Sequence, residues 1–264
     1  MKILFIGDIV GSKGRAAVKQ LLPSLRLAYD ADVVIANGEN AAHGKGITRR
    51  IYEELLSYGI DAITLGNHAF SKADLYDFIN QADRLVRPMN LIPTGLGRGH
   101  LEIDVKGTPL VIVNICGTVF MENTDETPFE AMHRIEKNFT DKIVLVDLHA
   151  EATSEKIAFA YMFQDVVSAV VGTHTHVQTA DEKIMNGCAF ISDVGMTGPY
   201  DSVIGRDVME VLDRFSGIRS ARYTVSEGES QLCGLFIEID ETTRRAVKIE
   251  RIQIRPKNES ITRS

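Results

Sequence analysis

The sequence predicts an α/β protein that contains at least one mixed β-sheet, or two stacked sheets flanked by helices. Strand-like and helix-like segments alternate through the first two thirds of the chain, and the last third is mostly strand-like. This mixture is typical of layered α/β architectures. Of the 264 residues, 44% are hydrophobic and 25% are charged, so the chain can bury a large core. No repeat or Pro/Ser-rich linker interrupts it, and we expect a single domain over residues 1–264.

Short apolar runs mark the predicted strands, and capping signals mark two of the helices. Ser71 with Asp74 is typical of a capping box, and Thr127, Pro128 and Glu130 open another helix with Pro in its first turn. In chain order the segments are strand "KILFIG", a Gly-rich turn with helix "RAAVKQLLPSLRLAY", strand "DVVIANG", helix "RRIYEELLSYG" from Thr48, strand "DAITLGN", helix "KADLYDFIN", the hairpin "HLEIDV" and "PLVIVNI", the Thr127 helix, strand "DKIVLVDLH", helix "SEKIAFAYMF", strand "VVSAVVG", and the strands "CAFISD", "ARYTVSE", "LCGLFIEID" and "AVKIERIQI".

The composition excludes several classes of protein. The longest apolar runs, such as "PLVIVNIC", are too short to span a bilayer, and "MKILFIGD" is too short in its apolar part for a signal peptide. The three cysteines are widely spaced and form no disulfide framework or CxxC pair, so we expect a cytoplasmic protein. A net charge of −7 argues against a protein that coats nucleic acid, and we expect no stable duplex binding and no membrane partner. A small anionic substrate remains compatible, because a local cation can dominate the field of a cleft.

Polar side chains follow five of the predicted strands at the point where each strand ends. Ligands of α/β sheets bind outside the carboxyl ends of the strands, so these residues can converge on one site. They are Asp8, then Glu39 and Asn40, then Asn67 and His68, then His149, and finally His174 and His176.

Each of these residues taken alone also has a structural interpretation. Asp8 could cap a helix, "GEN" could be a polar turn, and His149 could be a buried structural histidine. Their occurrence at five strand ends together favours a shared site. Alternate residues of an extended segment point to opposite sides, so His174 and His176 can serve one site only through a turn, or serve two metals.

Seven of these residues are candidate metal ligands, which is more than one metal ion needs. Two ions bridged by a carboxylate and by water would use all seven. Imidazole and carboxylate ligands suit Mn, Fe, Zn or Ni. Only Asp8 and Glu39 carry formal negative charge, so two divalent ions would leave the site positive. Such a site should bind an anion such as phosphate and lower the pKa of the bridging water until hydroxide is available.

The motifs "GD", "GEN", "GNH", a lone His after a strand, and "GTHTH" resemble the five motif blocks of the calcineurin-like metallophosphoesterases across roughly residues 1–180. Longer stretches, among them "ILFIGDIVGSKGR", "NGENAAHGKGIT" and "SDVGMTGPYDSVIG", resemble the bacterial YmdB-like branch along the whole chain. This resemblance implies two stacked mixed β-sheets between helices, the metallophosphoesterase αββα sandwich. It also implies a cytoplasmic phosphodiesterase that hydrolyses 2′,3′-cyclic nucleotides to 3′-nucleotides with a dinuclear iron or manganese centre.

The resemblance also implies a role for each site residue. The sequence departs from the broad superfamily in two places: Val10 stands where a histidine is usual, and Glu39 followed by Asn40 replaces an aspartate. The Asn40 oxygen could replace the lost imidazole. His68, in the Asn-His pair, would protonate the leaving oxygen. By the same resemblance metal one would take Asp8, Glu39, Asn40 and His176, and metal two would take Glu39, Asn67, His149 and His174.

Several questions stay open at this point. His43 and Lys45 could meet substrate or lie in solvent, and Tyr200 could stack on a base or be a buried turn residue. The enzyme could instead be a phosphomonoesterase or protein phosphatase, or the protein could be a nucleotide-responsive regulator with little turnover. We also expect a homo-oligomer, because apolar strands near the end of the chain could expose an edge and because the resemblance points the same way.

Overall fold

The structure is a computed structural model and describes residues 1–218 and 223–256. Its strands are β1 (Lys2–Ile6), β2 (Asp8–Ile9), β3 (Val33–Asn37), β4 (Ala62–Thr64), β5 (Leu85–Val86), β6 (His100–Val105), β7 (Thr108–Cys116), β8 (Ile143–His149), β9 (Ala169–Thr173), β10 (Lys183–Met185), β11 (Cys188–Ile191), β12 (Met196–Pro199), β13 (Ser230–Asp240) and β14 (Arg245–Ile254). Its helices are α1 (Gly11–Ala28), α2 (Arg49–Ser57), α3 (Asp74–Phe78), α4 (Pro128–Ile135), α5 (Thr153–Phe163) and α6 (Val208–Phe215), with 3₁₀ turns at Ala69–Ser71 and Glu136–Phe139.

The strands form two mixed sheets flanked by helices, which confirms the predicted fold class. The first sheet has the order β2-β12-β13-β1-β3-β4-β5, with β14 paired to β13. The second has the order β10-β11-β9-β8-β7-β6. Within the first sheet β1, β3, β4 and β5 are parallel, and within the second β7, β8, β9 and β11 are parallel. The carboxyl ends of these parallel strands therefore lie along a common edge of each sheet.

Alternation along the strands builds three apolar layers. On β1, Leu4 and Ile6 pack towards the helices, while Ile3 and Phe5 pack between the sheets. On β8, Val144 and Val146 belong to the layer under α4 and α5, whereas Ile143 and Leu145 face the first sheet. The layer between the sheets is apolar along most of its length. It becomes polar only near the carboxyl ends of the strands, where the candidate site lies.

Most predicted elements appear in the structure, including the antiparallel hairpin of β6 and β7. The capping box of α4 is confirmed: Thr127 Oγ1 accepts from Glu130 N, and Glu130 Oε2 accepts from Thr127 N. The one at Ser71 and Asp74 is wrong. The helix begins after Ala73, and Asp74 Oδ2 instead accepts a hydrogen bond from Arg49 N at 2.6 Å.

The last third departs furthest from the prediction, because it contains helix α6 between the strands. The predicted strand over 221–227 begins at positions outside the described residues. Its described part makes one isolated bridge, between Val225 and Arg206. Across the parts of the chain that the structure describes, no helix is both long and apolar enough to cross a membrane.

Candidate metal centre

The seven predicted ligands come together at the carboxyl edge of both sheets. The first sheet contributes four of them and the second contributes three. In the first sheet Asp8 lies on β2, Glu39 and Asn40 follow β3, and Asn67 follows β4. In the second sheet His149 ends β8, and His174 and His176 follow β9. Asp8, Glu39, Asn40 and His149 are buried, and the other three are partly exposed.

Glu39 lies at the centre of the cluster and contacts both halves. Its Oε1 is 3.2 Å from His149 Nε2, across the space between the sheets. The same oxygen accepts a hydrogen bond from Asn40 Nδ2 at 2.9 Å. Oε2 accepts from the backbone N–H of His68 at 3.0 Å. One carboxylate therefore reaches both groups of predicted ligands.

His149 connects Glu39 to the remaining residues of the second group. Its Nε2 is 3.1 Å from Asn67 Oδ1 and 3.0 Å from His174 Nδ1. Single donor atoms from Glu39, His149 and His174 lie within 4.8 Å of one another. These atoms are spaced closely enough to share one cation.

Asn40 and Asp8 each contact one histidine of the "HTH" motif. Asn40 Nδ2 is 3.1 Å from His176 Nε2, and Asp8 Oδ2 accepts from His174 N at 3.3 Å. Asn40 thus directs its amide nitrogen, rather than the predicted ligand oxygen, at the cluster. A half turn about the Cβ–Cγ bond exchanges the two atoms, and a cation at this point would favour the oxygen.

A turn, one of the two alternatives that the "HTH" motif left open, is present. His174 has φ 112° and His176 has φ 67°, so the chain leaves the extended conformation at both residues. Positive φ is uncommon for residues other than glycine and is often found at functional sites. The turn brings both imidazoles to the same side of the sheet edge.

Each histidine of the cluster points one ring nitrogen towards the other candidate ligands. Its second ring nitrogen contacts a protein oxygen outside the cluster. This arrangement orients the ring and is typical of metal-ligating histidines. Among the outer partners, sequence reasoning missed Thr173 and Glu151, although both lie close to predicted ligands along the chain. The outer contacts are His149 Nδ1 with Thr173 Oγ1 at 2.8 Å, His174 Nε2 with Glu151 Oε2 at 3.1 Å, and His176 Nδ1 donating to the Ile204 carbonyl at 2.9 Å.

The charges of the cluster favour a positive charge on His149 and oppose one on His174. Burial alone would lower the pKa of His149, but the charge and hydrogen bond of Glu39 outweigh it and raise that pKa to about 9. Burial opposes ionisation of Glu39, yet His149 holds its pKa well below the usual range. Burial and the neighbouring His149 lower the pKa of His174 to about 3, so its imidazole is neutral with a lone pair available.

The donor set fits divalent metal binding. Asp8 Oδ1 is buried and has no hydrogen-bond partner among the described residues. Burial raises the pKa of Asp8 to about 7, which a nearby cation would reverse. Gly66 keeps the space clear, because a Cβ there would lie 2.2 Å from Glu39 Oε2 and 2.3 Å from His149 Nε2. A buried carboxylate oxygen without a hydrogen-bond partner lies close to several other oxygen and nitrogen atoms that carry lone pairs. A metal ion would bind to such a group of atoms and so satisfy them.

His68 lies beside the cluster without joining its side-chain contacts. The ring is partly buried, and the described residues give it no hydrogen-bond partner. Burial lowers the pKa of His68, Glu39 opposes that effect, and the positive charges of Lys45 and Arg206 add to it. Arg206, which sequence reasoning missed, donates from Nη2 to the Gly44 carbonyl at 2.7 Å.

The three residues left open by the sequence take different positions. His43 is exposed, has φ 57°, and borders a cavity of about 400 Å³ with Ser12 and Tyr223. Lys45 is exposed, and its charge acts on His68. Tyr200 is partly buried with the Arg255 guanidinium carbon 5.6 Å from its ring centroid, and no described contact links it to the cluster.

Comparison with known proteins gives a consistent result. The family model described as YmdB-like protein matches residues 4–252. The chain is 47% identical over 256 residues to a 2′,3′-cyclic-nucleotide 2′-phosphodiesterase of Bacillus subtilis (strain 168), covering 96% of this chain and 97% of that one. A solved structure of a phosphatase from Mycoplasma pneumoniae superposes with a TM-score of 0.91 at 39% identity, covering 96% and 93% of the two chains. A hypothetical protein from Thermus thermophilus gives 0.89 at 40% identity, covering 96% and 99%.

Proposed function

The chain belongs to the YmdB-like protein family, and from that premise we propose that it is a metal-dependent phosphodiesterase that hydrolyses 2′,3′-cyclic nucleotides to 3′-nucleotides. The proposal includes the residue roles: Asp8, Glu39, Asn40, Asn67, His149, His174 and His176 hold two metal ions, and His68 is the general acid. The observation that carries it is a free imidazole beside a cluster of seven ligand-type side chains. A protein that only binds metal or nucleotide has no need of a leaving-group acid.

Glu39 is the bridging ligand in this proposal, because among the described contacts its carboxylate reaches ligand side chains of both groups, Asn40 and His149. When bound, two divalent ions supply Lewis-acid charge that neutralises the phosphate and lowers the pKa of a water molecule. Histidine with carboxylate and amide oxygens suits iron or manganese. The inward nitrogens of His149, His174 and His176 are directed by their outer hydrogen bonds, so the imidazoles are oriented before a metal arrives.

The reaction replaces one ester bond of the cyclic phosphate with a bond to water. A water molecule adds to phosphorus through its oxygen and loses one proton to solvent, the bond from phosphorus to O2′ breaks, and His68 donates its proton to O2′ and then regains one from solvent. The phosphate then remains on O3′ as a 3′-nucleotide. A ribose oxygen is a strongly basic leaving group, so a positioned acid is typically worth about 10²–10⁴-fold in rate. The backbone contact of His68 to Glu39 Oε2 holds the residue beside the cluster, as this role requires.

The proposal also covers the domain organisation, the location and the partners of the protein. We propose a single metallophosphoesterase domain over residues 1–264, acting in the cytoplasm as a homo-oligomer on a small phosphodiester. A phosphomonoesterase remains the second candidate, because the matching Mycoplasma pneumoniae structure is described as a phosphatase. Both candidates use the same cluster, and they differ in the substrate that reaches it.

A turnover screen distinguishes these candidates. Purified protein, with its metal content measured on the same sample, is tested on 2′,3′-cyclic nucleotides, 3′,5′-cyclic nucleotides and phosphomonoesters, and the products are identified by chromatography. We expect the highest kcat/KM on 2′,3′-cyclic nucleotides, with 3′-nucleotides as products. Glu39→Gln should abolish this turnover, while the same substitution at Glu53, exposed on α2, should preserve it. Faster turnover of phosphomonoesters, or 2′-nucleotides as products, would contradict the proposal.

A further inference from the structure

The polar end of the layer between the sheets is organised around one carboxylate, Asp147. This residue lies on β8 and is fully buried. Alternation along β8 places it on the same face as Ile143 and Leu145, which pack against the first sheet. A buried carboxylate in this position needs several hydrogen bonds to be stable. Its partners therefore show what it holds in place.

Asp147 accepts three side-chain hydrogen bonds from strands of both sheets. Its Oδ1 accepts from Thr173 Oγ1 at 2.6 Å, and Thr173 ends β9 of the second sheet. Its Oδ2 accepts from Thr64 Oγ1 at 2.5 Å and from Asn37 Nδ2 at 3.0 Å. Thr64 ends β4 and Asn37 ends β3, both in the first sheet. The Asp147 side chain thus connects the carboxyl end of β8 with the carboxyl ends of β9, β4 and β3.

Two of these partners bind predicted metal ligands directly. Asn37 Oδ1 accepts from the backbone N–H of Glu39 at 3.1 Å. Thr173 Oγ1 is 2.8 Å from His149 Nδ1. Because the single hydroxyl hydrogen of Thr173 is donated to Asp147, its oxygen must accept the hydrogen from Nδ1. A neutral His149 held in this way carries its lone pair on Nε2, the atom that faces Glu39.

We propose that Asp147 is a positioning residue that aligns the two halves of the metal centre, and that Thr173 transmits its effect to His149. The inference rests on the proposed metal centre and extends it to residues that would not touch the metals. Through Asn37 the carboxylate fixes the chain at Glu39, and through Thr173 it fixes the ring and tautomer of His149. Without the Thr173 hydroxyl, the buried Nδ1 has no acceptor, and the ring is free to carry its proton on Nε2, where it would block a metal.

The two threonines bound to Asp147 provide a matched pair of variants. Thr173→Val and Thr64→Val each remove one buried hydroxyl with little change of shape, and each takes one hydrogen bond from the same carboxylate. Of the two, only Thr173 also contacts the side chain of a predicted ligand, His149. Affinity for Mn²⁺ is measured by competition with a chelator, and stability is measured by urea unfolding of the metal-free proteins.

We expect Thr173→Val to weaken Mn²⁺ binding by about 10–100-fold, the usual effect of losing an outer partner of a ligand. Thr173→Ser should restore wild-type affinity, because it returns the hydroxyl. Thr64→Val should keep Mn²⁺ affinity within about threefold of wild type for a comparable loss of stability. A purely structural role would instead lower affinity equally in both valine variants, and this result would overturn the proposal.

Asp147→Asn tests the carboxylate itself, and it also serves if Thr173→Val does not fold. The amide retains one acceptor oxygen, so either the bond to Thr173 within the second sheet or the two bonds to the first sheet are lost, and Mn²⁺ affinity should fall by about 10–100-fold. Unchanged affinity in a folded Asp147→Asn would overturn the positioning role. Wild-type protein that binds Mn²⁺ but turns over no phosphoester would contradict the proposed function alone. Wild-type protein that binds no Mn²⁺ would contradict the metal centre and this inference together.

Discussion

The ion pair between Lys156 and Asp193 supports the turn that carries the two histidines, and its removal should be strongly destabilising. Both side chains are 1% exposed, and Lys156 Nζ donates to Asp193 Oδ2 at 2.9 Å. Nζ also donates to the Thr173 carbonyl at 2.9 Å, and Asp193 Oδ2 accepts from Thr175 N at 2.9 Å. The pair therefore binds the backbone on both sides of His174, at Thr173 and at Thr175.

Replacing Lys156 with methionine keeps the length of the side chain and removes its charge. Asp193 then remains buried with only backbone N–H partners, and breaking a buried pair from one side costs about 3–5 kcal/mol. We expect Lys156→Met to lower the free energy of unfolding by that amount, measured by urea unfolding of metal-free protein so that metal binding does not mask the loss. The double variant Lys156→Met/Asp193→Asn should lose less free energy of unfolding than Lys156→Met alone, because no buried charge is left without a partner.

Lys142 provides the control for this measurement. It pairs with Glu102 at 2.6 Å, but both side chains are partly exposed, at 29% and 48%. Pairs of this kind contribute about 0–1 kcal/mol, so Lys142→Met should have little effect on the free energy of unfolding. If Lys156→Met and Lys142→Met destabilised the protein equally, the reasoning from burial would be refuted.

Three further predictions concern the site and the assembly. His68→Ala should lower turnover of 2′,3′-cyclic nucleotides by about 10²–10⁴-fold, spare most activity on a nitrophenyl phosphodiester, and keep the metals bound; an equal loss on both substrates would make His68 a positioning group instead. Glu39→Ala should lose both metals in elemental analysis, while Asp8→Ala should lose one; full metal content in Glu39→Ala would exclude a bridging role. Light scattering should give a mass above that of one chain, because α6 exposes Leu212 and Phe215, at 50% and 84%; a monomer at micromolar concentration would contradict this.

The convergence of the seven candidate ligands could be predicted from the sequence because it depends on a local pattern. Each follows an apolar strand, and parallel strands bring their carboxyl ends to one edge whatever the order of the strands. A turn at His174 and His176 was one of two alternatives open from the sequence, since alternate side chains of an extended segment diverge and could instead serve two metals. The orientation of the Asn40 amide was not predictable, because its two ends differ only in the neighbours they meet.

The supporting residues could not be predicted because they depend on contacts between distant strands. Asp147 and Asn37 are 110 positions apart, and only the stacking of the two sheets brings them together. Lys156 looks like an ordinary helix-surface residue until α5 is packed on the sheet. The Asp74 prediction failed for a related reason, since its carboxylate binds Arg49 N on another helix. Helix α6 carries a local signal, an Asp207 N-cap before apolar residues at helical spacing, but the segment is short and its strand-rich surroundings outweigh that signal.

The central claim is that two ions held by these seven side chains make the protein a phosphodiesterase. A metal titration tests this claim most directly. Protein freed of metal with a chelator is reconstituted with increasing Mn²⁺, and hydrolysis of a 2′,3′-cyclic nucleotide is followed at each step. We predict no activity without metal and a rise that reaches its plateau at two ions per chain. Activity that survives complete removal of metal, or a plateau at one ion, would contradict the account.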